Sequence, residues 1–300
     1  MQRLLRSLWY NPRQSFLERV LWCFLLPWSF LYATIMRCRA ICYTLGLFKA
    51  KHLSIPVISI GNLVVGGTGK TPVTAHIAQS LIASGKKVVV LSRGYGGRLG
   101  GGKPLVVSDG VTIFLTPEDA GDEPFLLAQM VPGLMVVIAR DRYAAGLLAL
   151  EQLKPDCCLL DDGYQHLALE RNLDIVLLDA RHPLGNGFCL PAGPLREPRS
   201  ALVRASLLGF TRWTASGCDK LGEGATPKLH IQNRLLNYRA LVTGVEVSIA
   251  SLQKTRCCAA AGIADPNQFF QGLEDAGLQL VGAMELPDHA VYTGELLRSL

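Results

Sequence analysis

The residues best placed to do chemistry begin at Ser59-Ile-Gly-Asn-Leu-Val-Val-Gly-Gly-Thr-Gly-Lys-Thr71. An apolar run, Pro56–Ile60, leads into it, and a helical pattern over Thr71–Ser84 follows, which is the setting a phosphate-binding loop requires. Glycines let backbone N–H groups turn onto phosphate oxygens, and a helix N-terminus adds partial positive charge. Gly66, Gly67, Thr68 and Gly69 would cradle the phosphates of ATP. Lys70 would reach the β- and γ-phosphates, and the Thr71 hydroxyl would ligate Mg²⁺. Val64 stands where the first glycine of the usual loop pattern belongs. The chain has no N/T-K-x-D motif, which disfavours a GTPase, and Val65 stands where partitioning ATPases carry a lysine.

Leu159-Leu-Asp-Asp-Gly-Tyr-Gln-His166 ends a buried strand with two acids. A carboxylate at that end of a strand beside a phosphate loop is where a second Mg²⁺ contact belongs, and Asp161 and Asp162 share that role. Arg93-Gly-Tyr-Gly-Gly97 also follows a strand end, and Pro191–Glu197 is a rigid loop presenting Arg196. By spacing alone, Asp122 in Gly121-Asp-Glu-Pro124 reads as a helix cap and Glu123 as a partner of the helix dipole. Asp288-His289 is ambiguous on the same grounds.

These groups need a scaffold. Apolar strands at Lys87–Ser92, Leu134–Ala139, Asp156–Leu160, Leu173–Leu178 and Leu202–Phe210 alternate with helices at Glu123–Met130 and Asp141–Leu153. That alternation predicts an α/β fold, a P-loop NTPase-like parallel sheet covered by helices on both faces. Ser108-Asp109-Gly110 between two apolar runs, 105–107 and 111–115, predicts a hairpin. A polar, Gly-rich stretch at 215–227 predicts a boundary. Beyond it, strands at Arg256–Ala261 and Leu278–Val281 around a helix at Pro266–Ala276 predict a smaller α/β domain. The predicted division is 1–40, a membrane-associated helical segment; 41–222, the P-loop domain; and 223–300, the small domain, short or truncated.

Val20–Met36 is uncharged and spans about 26 Å as a helix, against roughly 30 Å of hydrocarbon core. Pro27 would kink it. Arginines flank it on both sides, and Trp and Tyr residues around it suit a membrane interface. Spanning the bilayer and lying in one leaflet both stay open. The net charge of +6 resides in residues 1–50, so a nucleic-acid-binding surface is a poor explanation of it. The nine cysteines include no CxxC pair and read as buried free thiols.

Taken together and in order, ISIGNLVVGGTGKTP, SRGYGG, GDEP, DDGYQH, LPAGPLRE, AAGIADPNQFF and LPDH resemble the tetraacyldisaccharide 4'-kinase family of Gram-negative lipid A biosynthesis. The resemblance implies transfer of the ATP γ-phosphate to the 4'-hydroxyl of a tetraacyl glucosamine disaccharide 1-phosphate. It implies Asp122 as general base with His289 as its partner, and Lys70 as a catalytic cation. It further implies Asp161 and Asp162 at Mg²⁺, and Arg93, Tyr95, Arg142, Gln165, His166 and Arg196 as substrate or phosphate contacts. The enzyme would work on the cytoplasmic face of the inner membrane, on a lipid A precursor, with no nucleic acid and no obligate protein partner. Ala290 after Asp-His, and an end at Leu300 before a Thr-Glu-Lys-Asp-Ala-Val-Lys-like segment, depart from the family pattern. A membrane-attached ATPase driving a partner protein, or a non-catalytic nucleotide-binding scaffold, are the alternatives. Neither needs GDEP, RGYGG or LPAGPLRE.

Overall fold

The computed structural model describes residues 7–11, 15–212, 226–232, 235, 237–240, 243–263 and 266–286. The chain divides into two compact units, residues 1–231 and 232–300.

The first unit runs α1 (Phe16–Thr44), β1 (Val57–Asn62), α2 (Lys70–Ala83), β2 (Val88–Ser92), β3 (Leu105–Asp109), α3 (Pro117–Ala120), α4 (Asp122–Met130), β4 (Met135–Ile138), α5 (Arg142–Gln152), β5 (Cys157–Asp161), β6 (Leu173–Asp179), a 3₁₀ turn (Arg199–Arg204), β7 (Leu207–Thr211) and β8 (Lys228–Ile231). The strands form one sheet in the order β3-β4-β2-β5-β1-β6-β7-β8. All neighbours are parallel except β3, which runs antiparallel to β4 at the edge. Strand β2 shows why the sequence reads as continuously apolar: Val88 and Val90 pack into one core, and Val89 and Leu91 into the core on the opposite face. Helices α2 and α4 cover the first face, through Val73, Ala75, Ala78 and Leu127. Helix α5 covers the second, through Ala145 and Ala149.

β1 lies between β5 and β6, so the C-terminal ends carrying Asn62, Asp161 and Asp179 are neighbours. In open α/β sheets a ligand crevice forms at these ends.

Two expectations are corrected. Residues 111–115 form no strand: the chain turns back on the free edge of β3 through one bridge, Ser108 to Ile113, and a bond from Phe114 N–H to the Val107 carbonyl (2.8 Å), and pairs no further. Leu202–Phe210 is not one strand either. Its first half is a 3₁₀ turn over the buried Tyr164, whose hydroxyl donates to the Ala201 carbonyl at 2.5 Å, and the strand starts at Leu207. Residues 228–231 add β8 to the main sheet. Among the cysteines, Cys157, Cys158 and Cys189 are buried, whereas Cys23, Cys38 and Cys258 are exposed; Cys218 lies outside the described residues.

Helix α1 is continuous through Pro27 and begins at a capping box formed by Ser15 and Glu18. One face is held to the domain by side chains that donate to backbone carbonyls: Trp22 to Ala192 (2.9 Å), Ser29 to Cys189 (2.6 Å), Tyr32 to Arg196 (2.9 Å) and Arg39 to Gln165 (3.1 Å). The rest of the helix exposes Phe16, Leu17, Val20, Phe24, Leu31, Ile35 and Ile41. By length and composition α1 could cross a membrane.

The second unit has an antiparallel pair, β9 (Asn237–Arg239) with β10 (Glu246–Ser248). A parallel unit follows, β11 (Arg256–Ala261), α6 (Pro266–Asp275) and β12 (Gln279–Glu285), around Ala259, Ala261 and Phe270.

Candidate functional site

The phosphate loop runs from the end of β1 to the first turn of α2. Gly69 adopts φ +76° as the residue before the helix, a conformation that suits glycine. Asn62, the last residue of β1, braces the loop by donating its amide to Thr68 Oγ1 (3.0 Å) and to the Gly66 carbonyl (3.3 Å). The segment 188–196 packs along the loop. Val65 N–H donates to the Pro194 carbonyl (2.8 Å), Arg196 N–H donates to the Leu63 carbonyl (2.7 Å), and Val64 bridges Leu195.

That pairing places Arg196 against Asp162, with its guanidinium 2.9 and 2.7 Å from the two carboxylate oxygens. Lys70 Nζ stands 3.5 Å from the same carboxylate, its side chain only 11% exposed. Asp162 sits at φ +51°, one residue beyond β5. Burial opposes its charge, but Lys70 and Arg196 outweigh burial and hold the carboxyl below its ordinary range.

Asp161, next to it, is fully enclosed and receives a weak bond from Thr74 Oγ1 at 3.4 Å. Burial, with Glu123 adding repulsion, pushes its pKa up to about 7 against the pull of Lys70. Adjacent carboxyls therefore differ: at Asp162 the cations outweigh burial, whereas at Asp161 burial outweighs the pull of Lys70. Arg142, at the start of α5 and 5% exposed, donates to the Ala139 and Arg140 carbonyls. Burial, then Arg93, weaken its hold on its proton, while Asp162 and Asp161 strengthen it. Arg142 is thus a buried cation in the field of both carboxylates.

Glycines bring the Arg93–Gly97 loop against the start of α4. A Cβ on Gly97 would lie 2.5 Å from the Asp119 carbonyl, and one on Gly121 2.5 Å from the Tyr95 carbonyl. Asp122, Arg93 and Tyr95 consequently share one rim, with Tyr95 77% exposed. Glu123 reaches the field of Asp161 from the same turn.

Gln165 and His166 are half-buried. Gln165 donates to the Asn62 carbonyl at 2.9 Å. The His166 Nε2 is buried, and burial together with Arg142 lowers its pKa to about 4, so the ring is neutral. His289 lies outside the described residues. No group of His, Cys, Asp and Glu capable of holding a metal by itself occurs among the described residues.

The sequence reading missed one brace. Asp179, at the end of β6, pairs with Arg181 (2.9 Å) and with Arg212, which follows β7; Arg212 in turn donates to the Gly67 carbonyl (2.9 Å). An acid at a strand end was the available signal for Asp179. Arg212 carries none, because only the neighbouring position of β6 and β7 brings it to the loop.

A family profile described as tetraacyldisaccharide-1-P 4'-kinase matches residues 21–300. The chain is 51% identical over 292 residues to a tetraacyldisaccharide 4'-kinase of Pelobacter propionicus, covering 96% of this chain and 79% of that one. It is 52% identical over 262 residues to the Geobacter sulfurreducens protein of the same name, covering 87% and 74%. A crystal structure from Aquifex aeolicus, described as LpxK in complex with ATP, superposes with a TM-score of 0.75 at 38% identity, covering 91% of this chain and 84% of that one.

Proposed function

The chain belongs to the tetraacyldisaccharide-1-P 4'-kinase family, and from that premise we propose how its own residues carry the transfer. The activity is that of a kinase of lipid A biosynthesis, ATP-dependent, phosphorylating the 4' position of a tetraacyl disaccharide 1-phosphate. The observation that carries the residue assignment is the convergence of Lys70, Asp162 and Arg196 at the mouth of a glycine loop.

Gly66–Thr71 bind the nucleotide phosphates, with Lys70 spreading positive charge over the β- and γ-oxygens. The acceptor 4'-oxygen forms a bond to the γ-phosphorus as the bond to the β-bridging oxygen breaks, and ADP leaves. Asp122, on the rim beside Arg93 and Tyr95, takes the hydroxyl proton. Arg93, Tyr95 and Arg142 contribute positive field and contacts to the acceptor.

Mg²⁺ fits the residues present. Asp161 is a buried carboxyl whose burial the pull of Lys70 does not offset, and the Thr71 hydroxyl lies in the first turn of the adjoining helix. Mg²⁺ needs only such hard oxygens, with substrate phosphates completing its shell, so a dedicated protein cluster is not required. Thr71 and Asp161 would hold it, and Asp162 would stay with its cations. When bound, the ion would neutralise charge on the transferring phosphate.

Helix α1 lies along a membrane surface rather than across it. A helix bonded from Trp22 to Arg39 onto the domain that carries the nucleotide site cannot leave that domain to span a bilayer, whereas its outward apolar residues suit lipid. ATP chemistry places that surface on the cytoplasmic face of the inner membrane.

The test is γ-phosphate transfer from ATP to detergent-solubilised tetraacyl disaccharide 1-phosphate. Transfer is expected from the 300-residue chain and should vanish in Lys70→Ala. Transfer that survives in Lys70→Ala would refute the assignment.

A further inference from the structure

The inward face of α1 carries polar groups, and the bonds from Trp22, Ser29, Tyr32 and Arg39 end on two stretches beside the phosphate loop, 189–196 and Gln165. Trp22, Ser29 and Tyr32 reach the carbonyls of Ala192, Cys189 and Arg196, and Trp9, from the preceding turn, reaches Pro191 at 3.0 Å. The same stretch of backbone pairs with Leu63, Val64 and Val65 on its other side. A chain segment gripped on both edges has little freedom, and Arg196 is its last residue before Glu197, which Arg204 fixes at 2.8 Å.

We propose that Tyr32 and Ser29 are positioning residues for phosphoryl transfer: by holding the 189–196 backbone they set the Arg196 guanidinium on Asp162, and so tie the seating of the lipid-facing helix to the nucleotide site. This rests on the kinase reading above. The chemistry is that of charge partition. Asp162 is shared by Arg196 and Lys70. While Arg196 satisfies it, Lys70 is available to phosphate; if Arg196 withdraws, Asp162 draws Lys70 toward itself. Ser29 is buried, and neither it nor Tyr32 belongs to any phosphate-binding motif, which is why the sequence gives them no role beyond an apolar helix. The outward residues Phe24 and Leu31 have a separate task, contact with lipid.

The experiment compares the full chain with Tyr32→Phe/Ser29→Ala, using ATP and detergent-solubilised tetraacyl disaccharide 1-phosphate, with Phe24→Ser/Leu31→Ser alongside. The inward pair should lose kcat about tenfold, the scale of two lost hydrogen bonds, with both KM values within about twofold. Its sedimentation with phosphatidylglycerol vesicles should match the unmodified chain. The outward pair should show the reverse, a weaker partition into vesicles. In a cycle with Arg196→Lys, Tyr32→Phe should have little further effect, since it acts through Arg196. Should the inward pair not fold, Tyr32→Phe alone enters that cycle. Full kcat in the inward variant, or losses that multiply in the cycle, would overturn the proposal while leaving the kinase reading intact. A blank from the unmodified chain would overturn both.

Discussion

Replacing Arg212 with glutamine tests how far the phosphate loop depends on its brace. The bonds to Asp179 and to the Gly67 carbonyl are lost, and the structure separates their effects. Asp179 keeps Arg181, at 3.1 and 2.9 Å, so its carboxylate is not stranded. Burial opposes that charge, and Arg181 together with Arg212 holds the carboxyl below its ordinary range. Losing one of two partners from a mostly enclosed carboxylate should cost about 1 kcal/mol of stability. The Gly67 carbonyl, by contrast, loses a charged donor at 2.9 Å. Bonds to charged groups are worth about 1.5–3 kcal/mol. If the bond holds the loop in its phosphate-binding shape, ATP must reorder the loop, and affinity should fall about 10- to 100-fold. Calorimetric titration of ATP, with thermal denaturation in parallel, separates the two. ATP affinity within twofold of the unmodified protein, with Tm lowered, would refute the reasoning: Arg212 would then stabilise the sheet end and not the loop.

Two further outcomes follow from the same geometry. Gly61→Ala would place a Cβ 2.6 Å from the Tyr164 Cβ and 2.9 Å from its backbone nitrogen, so the segment after Asp162 must shift. A loss of about 1–3 kcal/mol in denaturant unfolding is expected, along with lower activity, and an unchanged midpoint would contradict it. Asp161, raised to about 7 from an ordinary value near 4, favours its neutral form in the fold. Without Mg²⁺, stability should therefore fall as pH rises from about 4 through 7, by up to about 4 kcal/mol. Asp161→Asn should remove that part of the pH dependence while abolishing transfer. An identical pH–stability curve in the variant would count against the buried-carboxylate reading.

The parts of the site that rest on local chemistry could be read from the sequence. Gly69-Lys70-Thr71 after an apolar strand specifies a loop and a helix start whatever surrounds it, and Asp161-Asp162 at the end of Cys157–Asp161 announces a strand end. Central strands such as β2 were equally legible, since parallel strands buried on both faces must be apolar throughout. What escaped depends on contacts between distant residues. The 3₁₀ turn at Arg199–Arg204 exists to cover Tyr164, whose ring also carries the Arg204 guanidinium at 4.9 Å, and nothing in the local pattern shows this. The apolar run 111–115 resembles a strand, but it meets the edge of β3 at a single bridge, Ser108 to Ile113. Gln165 shares a motif with Asp161 and Asp162, and motif membership alone does not reveal its bond to the Asn62 carbonyl.

The cap at Ser15 and Glu18 sets the rotational phase of α1. Glu18 accepts from Ser15 N–H at 2.7 Å and from Ser7 Oγ at 2.6 Å, which fixes the first turn in place. Every later residue then inherits its direction at about 100° per step. One residue inserted between Ser15 and Trp22 would swing the bonding side chains a quarter-turn or more away from their carbonyls and carry phenylalanine and leucine toward the protein. An insertion of four would nearly restore the direction and instead slide the contacts along the axis by about 6 Å. This part of the helix can therefore change its side chains more freely than its length.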